Sequence, residues 1–285
     1  MIPTDDELLA ALPGAASLSR VPYEYATSSP LHELEVRFDD GRVETLLLKH
    51  LMPGSKPPFL YEPRRDIDTY LRILGPAGIG ARCYAAGDTW QVLEKVPGVE
   101  LWQIGDLAVW EAVARWLAAF HARFAGEVAA VRAANPHLLA YDAGWYRLWF
   151  ERAASALPVP FSAYDAVVDA LCALPATFVH GELYPSNVLV ADGATDVRVC
   201  PVDWEMAASG PGLVDLAALT AGWDEAERTR LVKAYGDVDV DALDRCRLHL
   251  ALQWLGWSPG WAPPPEHAHD WRGEALELAE RLGVL

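Results

Sequence analysis

Two short stretches constrain this chain more than anything else in it: His180-Gly181-Glu182-Leu183-Tyr184-Pro185-Ser186-Asn187-Val188-Leu189-Val190 and, shortly after, Val199-Cys200-Pro201-Val202-Asp203-Trp204-Glu205. β-Branched runs flank a loop punctuated by Gly and Pro, which reads as strand, polar loop, strand, turn, strand. That order brings Glu182, Asn187 and Asp203 to the ends of adjacent short strands. Three oxygen-bearing side chains converging there suit Mg²⁺, a hard cation that takes carboxylate and carbonyl oxygens and completes its octahedron with water and substrate phosphates.

An H-G-acid-x-x-x-x-N spacing, with a later Asp at the end of an apolar run, is also the catalytic-loop pattern of kinases. On these residues the chain resembles the aminoglycoside phosphotransferase family, a branch of the protein-kinase-like fold that includes choline kinases. The family pattern has Asp where this chain has Glu182. The resemblance implies an α+β, protein-kinase-like two-lobe fold. Residues 1–97 would form the N-terminal nucleotide-binding lobe, an antiparallel sheet plus a helix, and residues 98–285 a mainly helical catalytic and substrate-binding lobe. It implies ATP and Mg²⁺ as cofactors, with Asp203 and Asn187 on the metal and Glu182 beside the acceptor hydroxyl. His180 and Asp215 would be structural, Asp215 bracing the catalytic loop from Leu213-Val214-Asp215-Leu216-Ala217.

Composition narrows the partners. The formal charge of −17 over 285 residues argues against a general nucleic-acid or anionic-membrane surface. The resemblance implies a small-molecule hydroxyl acceptor as partner, an amino sugar, aminoglycoside or related metabolite. Cys83, Cys172, Cys200 and Cys246 form no C-x-x-C pair and read as reduced core thiols of a cytoplasmic protein. No apolar run approaches a membrane span, and the acidic start, Met1-Ile2-Pro3-Thr4-Asp5-Asp6-Glu7, is not a secretory signal.

In chain order, Thr4 and Glu7 predict a capping box on a helix over about 4–12. Strands follow near 20–26, 33–38 and 43–48. Lys49 ends the third, where the resemblance implies contact with the α and β phosphates of ATP. Between the first two strands, Ser28 and Ser29 stand where kinases have a glycine-rich flap and are candidate phosphate contacts, with a plain hairpin turn as the other reading. A helix over 62–74 carries the acid that would pair with Lys49: Asp66 first, Glu62 in reserve. Gly75-Pro76-Ala77-Gly78-Ile79-Gly80 reads as a helix-ending loop. Strands near 82–86 and 90–96 run into Pro97-Gly98, a hinge-like turn where the backbone of Glu94 to Val96 would bind adenine. Helical periodicity then dominates from Asp106, with His121 as a packing histidine. Further helices are expected at about 143–156, 162–173, 225–235, 240–256 and 270–282. Trp254 reads as core, whereas Trp257 and Trp261, in a Pro-Gly loop, are candidate acceptor-binding rings.

Three functions stay open on the sequence: a small-molecule kinase, a noncatalytic nucleotide-binding pseudokinase or scaffold, and a kinase for a peptide acceptor. The first is preferred because Lys49, Asn187, Asp203 and Asp215 are all in place.

Overall fold

The computed structural model describes residues 2–23, 30–53, 57–159, 161–192, 197–257 and 269–285. Ser28, Ser29 and Trp261 lie outside these, so the flap and the second loop tryptophan are not placed.

Helix α1 (Asp5–Ala11) starts with the expected capping box: the Glu7 N–H donates to Thr4 Oγ1 and the Thr4 N–H to the Glu7 carboxylate. Strands β1 (Ala15–Pro22), β2 (Leu31–Phe38), β3 (Val43–His50), β4 (Cys83–Ala86) and β5 (Trp90–Glu94) form an antiparallel sheet in the order β1-β2-β3-β5-β4. The first strand begins earlier than its sequence suggests because it is an edge strand whose Ser17, Ser19 and Arg20 give little apolar signal. Period-two alternation sorts β3. Leu46 and Leu48 join Leu34, Val36, Val92 and Leu8 of α1 in one apolar cluster, so Leu47 and Lys49 face the other side of the sheet.

On that side lies α2 (Pro63–Asp68), which continues through a π-helical segment, Thr69–Leu74, into α3 (Gly75–Ala77). The helix runs past the expected end and stops at Gly78, whose φ of 68° is left-handed. Pro76 explains the π register. It has no N–H for an i→i−4 bond and its ring crowds the carbonyl of Arg72. The wider register instead lets the Gly75 N–H reach the Tyr70 carbonyl.

The rest of the chain runs β6 (Val99–Glu100), α4 (Leu107–Phe124), α5 (Val128–Ala134), β7 (Leu139–Ala140), α6 (Ala143–Ala153), α7 (Tyr164–Ala173), β8 (Ala176–Val179), β9 (Val188–Asp192), β10 (Val197–Pro201), β11 (Ala208–Pro211), α8 (Leu213–Leu219), α9 (Glu225–Tyr235), α10 (Val240–Gly256) and α11 (Trp271–Arg281). Two small sheets, β10-β9-β6 and β7-β11-β8, carry the motif segments. The larger core joins Leu117 and Phe120 of α4, Trp149 of α6 and Leu252 of α10 to Tyr70, Ile73 and Leu74 of the α2 continuation. That helix is therefore packed into the helical lobe as well as onto the sheet. Among the described residues no helix is long and apolar enough to cross a membrane. Cys200 and Cys246 are buried as expected and burial pushes the Cys200 thiol up to about 12, but Cys172 is exposed on α7 rather than in the core.

His249 of α10 is fully buried edge-on to Tyr146, and burial pushes its pKa from 6.5 down to about 3. The folded state therefore refuses a proton that the unfolded chain takes up below pH 6.5. This contribution to stability is fully present above pH 6.5 and is lost as pH falls toward 3, at about 1.4 kcal/mol per unit. Between pH 7.5 and 5, His249→Phe is expected to lose about 2 kcal/mol less stability than the native protein, measured by urea unfolding. An equal loss would show that the imidazole is protonated in the fold.

Candidate active site

The site begins at the end of β3. Lys49 is 6% exposed, and its Nζ lies 2.7 Å from Asp66 Oδ2, 2.8 Å from Asp203 Oδ1 and 3.0 Å from Glu205 Oε1. Burial alone would favour the neutral amine; the charges of Asp203, Asp66 and Glu205 outweigh it and raise the pKa well above an ordinary lysine's. Asp66, not the reserve Glu62, is thus the partner of Lys49, while Glu62 is the N-cap of α2. Asp66 is itself fully buried and also accepts from Gln91 Nε2 at 2.9 Å and the Trp204 N–H at 3.2 Å.

The catalytic-loop segment follows β8. Gly181 is required by its φ of 85°, and a Cβ there would stand 2.3 Å from the Met206 carbonyl oxygen. Asp215, at the start of α8 and fully buried, takes the N–H of His180 at 2.8 Å on Oδ2 and of Gly181 at 2.9 Å on Oδ1. His121 Nε2 lies 3.2 Å from the same carboxylate, and its Nδ1 meets the Tyr235 hydroxyl at 2.9 Å. The packing role read for His121 and the bracing role of Asp215 therefore meet in one network. His180 is held neutral by burial, against the pull of Asp215; its Nε2 donates to the Val202 carbonyl while Nδ1 accepts the Glu182 N–H at 3.3 Å. One imidazole so joins the two motif stretches. Asp215→Asn keeps the shape but turns one acceptor into a donor facing an N–H. We expect a loss of about 1–3 kcal/mol in chemical denaturation and a lower kcat.

Asn187 Nδ2 donates to the Glu182 carbonyl at 2.9 Å, and the Tyr184 N–H donates to the same oxygen at 2.7 Å. Nδ2 is the donor half of the amide, so any cation held by Asn187 would be held through Oδ1. The Glu182 side chain is half-buried, and the Tyr184 phenol is pushed well up, first by burial and then by the Glu182 charge. Asp203 is the one non-glycine with positive φ among the described residues, at φ 66° and ψ 64°. Asp tolerates the left-handed region better than most, yet it costs about 1–3 kcal/mol unless the surroundings impose it. That conformation opens a 3₁₀ turn, Trp204–Met206, and brings Glu205 back beside Asp203. Carboxylate oxygens of Asp66, Asp203 and Glu205 all lie within 4.8 Å of one another. Glu205 is not among the metal ligands expected from the sequence; the D-x-E spacing of Asp203-Trp204-Glu205 is the signal that points to it.

At the hinge, the Glu94 carboxylate is gripped by Arg198 at 2.6 and 2.9 Å, and its N–H donates to the Arg82 carbonyl at 2.7 Å. Any role of Glu94 toward a base falls to its carbonyl. The Val96 carbonyl accepts the Gly98 N–H at 2.9 Å. The tryptophan expectations need correction in location. α10 ends at Gly256 as expected, but Trp257, its C-cap, is buried rather than presented by a loop: it is 8% exposed and stacked on Trp149 at 5.6 Å. Trp254, read as core, does pack against it, half-buried and stacked on Trp271 at 5.0 Å, with its ring 5.1 Å from that of Tyr184.

A family model, the phosphotransferase enzyme family APH, matches residues 32–249, which include Lys49, Asp66, Glu182, Asn187, Asp203, Glu205 and Asp215 but not Trp254 or Trp257. The chain belongs to that family. As an APH phosphotransferase it shares its fold with small-molecule kinases. The *Plasmodium vivax* ethanolamine kinase structure matches at 13% identity and TM-score 0.60, covering 93% of this chain and 81% of that one. The macrolide 2'-phosphotransferase of *Brachybacterium faecium* matches at 18% and 0.62, covering 88% and 90%. The choline kinase of *Streptococcus pneumoniae* matches at 14% and 0.60, covering 94% and 95%. No curated protein matches by sequence.

Proposed function

We propose that this phosphotransferase moves the γ-phosphate of ATP, with Mg²⁺, to a hydroxyl of a small molecule, an amino sugar, aminoglycoside or related metabolite. The observation that carries the reading is the Lys49 ammonium held by Asp66, Asp203 and Glu205, at distances of 2.7 to 3.0 Å. A lysine so fixed presents a point charge to phosphate oxygens. The all-oxygen donor set of Asp203, Glu205 and the Asn187 amide fits Mg²⁺. When bound, the ion supplies neutralisation of phosphate charge.

The chain's own residues do the remaining work. Lys49 orients the phosphates. Glu182 accepts the proton of the acceptor hydroxyl as the new O–P bond forms and the bond to the ADP oxygen breaks. Phosphoryl transfer depends on positioning and charge more than on a strong base, so a carboxylate suffices. Trp254, half-buried beside Tyr184, is the better-placed aromatic wall for an acceptor.

Acceptor-dependent ADP release across a panel of amino sugars, polyols and amino alcohols tests the reading. Turnover on polypeptides alone, or ATP binding with no turnover on any acceptor, would overturn it. Trp254→Ala is expected to raise the acceptor KM about tenfold with the ATP KM unchanged. Trp257→Ala should mainly cost stability, about 3–5 kcal/mol, because it empties a core position. A thermal melt beside the steady-state kinetics separates the two.

A further inference from the structure

Two consecutive residues of α2 hold the two peptide groups that flank the Trp204–Glu205 peptide in the turn that follows Asp203. Asp66 Oδ1 accepts the Trp204 N–H at 3.2 Å, and Arg65 Nη1 donates to the Glu205 carbonyl at 2.7 Å. Arg65 is 4% exposed; Nη1 also donates to the Leu60 carbonyl at 3.0 Å and Nε to the His137 carbonyl at 2.8 Å. A guanidinium is expensive to bury, and this one bonds to backbone carbonyls. What those bonds accomplish is a junction: the segment before α2, the helical lobe and the Glu205 turn all meet on one side chain.

The turn needs such a junction. A non-glycine residue in the left-handed region persists only where its neighbours over-determine it, and Asp203 sits there at φ 66°. The peptide groups that fix the turn are the Trp204 N–H and the Glu205 carbonyl, one held by Asp66 and the other by Arg65. We propose that Arg65 is a positioning residue for the phosphotransfer reaction: by holding the Glu205 carbonyl it keeps the Asp203 and Glu205 carboxylates beside Lys49 and so sets the affinity for the divalent cation. This rests on reading Asp203 and Glu205 as cation ligands.

Asn135 supplies the contrast. Fully buried, it donates through Nδ2 to the Arg65 carbonyl at 2.9 Å and to Thr69 Oγ1 at 3.1 Å. It ties α2 to the helical lobe, and none of its bonds reaches residues 203–206.

The test titrates Mn²⁺ into ADP-saturated protein and reads free Mn²⁺ by its paramagnetic resonance, with a thermal melt on each variant. Losing a hydrogen bond from a charged donor at the turn should make Arg65→Met bind Mn²⁺ about tenfold more weakly or worse. Asn135→Ala should melt lower and keep its Mn²⁺ affinity within about twofold, since its side chain bonds α2 and the His137 N–H but not the turn. In turnover, Arg65→Met should raise the Mg²⁺ activation constant and leave the acceptor KM alone. If Arg65→Met does not fold, Arg65→Lys stands in; its single ammonium cannot reproduce the fork, and a loss of about threefold is expected. Native Mn²⁺ affinity in the Arg65 variant that folds, or equal weakening in Asn135→Ala, overturns the positioning role alone. Absence of ADP-dependent Mn²⁺ binding in the native protein overturns the metal reading and this role together.

Discussion

Asp203→Asn is expected to abolish the Mg²⁺-dependent stabilisation of the protein by ATP while leaving the fold intact. The substitution is nearly isosteric, and Asn tolerates the left-handed conformation of residue 203 as readily as Asp, so the turn to Glu205 survives. What disappears is one negative charge at the point where Lys49, Asp66 and Glu205 converge. The proposed cation ligand becomes a neutral amide, and the Lys49 ammonium loses one of its three carboxylates. At a nucleotide concentration about a hundred times Kd the native protein gains about 2.7 kcal/mol from binding, and that gain is what the variant forfeits. Thermal shifts with Mg·ATP, ATP plus chelator and no ligand measure it. A shift in the variant equal to the native one would remove Asp203 from the site.

The parts of this site that were legible in the sequence are those fixed by local spacing. Asp66 stands four residues before Tyr70 on an amphipathic helix, and Lys49 ends an alternating strand; each pattern sets a face, and the two faces meet at 2.7 Å. Asn187 and Glu182 share a loop short enough that one bonds the other. Glu205 was harder to place because its side chain returns to Asp203 only through a positive φ that no residue type announces. Arg65 was invisible for a different reason. Nothing in the local pattern of Glu62-Pro63-Arg64-Arg65-Asp66 separates Arg65 from its charged neighbours, and only the packing of residues far along the chain, His137 and Glu205, buries that guanidinium. The same long-range packing decided the tryptophans. The end of α10 at Gly256 was legible, but the burial of Trp257 rests on α6, where Arg152 donates through Nε and Nη2 to the carbonyls of Gly256 and Trp257 at 2.7 and 2.8 Å and Trp149 stacks on the ring.

Glu182→Gln is expected to lower kcat by about a hundredfold or more with the ATP KM largely retained. The backbone around residue 182 is held independently of its side chain: the carbonyl takes Asn187 Nδ2 and the Tyr184 N–H, and the N–H meets His180. The Gln variant therefore keeps the loop, Asn187 and Asp203 and loses only the carboxylate proposed to accept the hydroxyl proton. Glu182→Asp is the sharper experiment. Shortening the side chain withdraws the carboxylate by about 1.5 Å, and a misplacement of about 1 Å can cost a hundredfold where the reacting atoms must be in line. If the acceptor site is matched to Glu, both variants lose turnover and the loss falls on kcat. If Glu182→Asp turns over faster than the native protein, the site is built for the shorter acid and Glu182 is a partial decay. Full activity in Glu182→Gln would pass the proton to another carboxylate, with Glu205 the first to examine because its side chain already lies 3.0 Å from Lys49. Single-turnover kinetics with saturating Mg·ATP distinguishes these outcomes, because it reads the chemical step apart from acceptor binding.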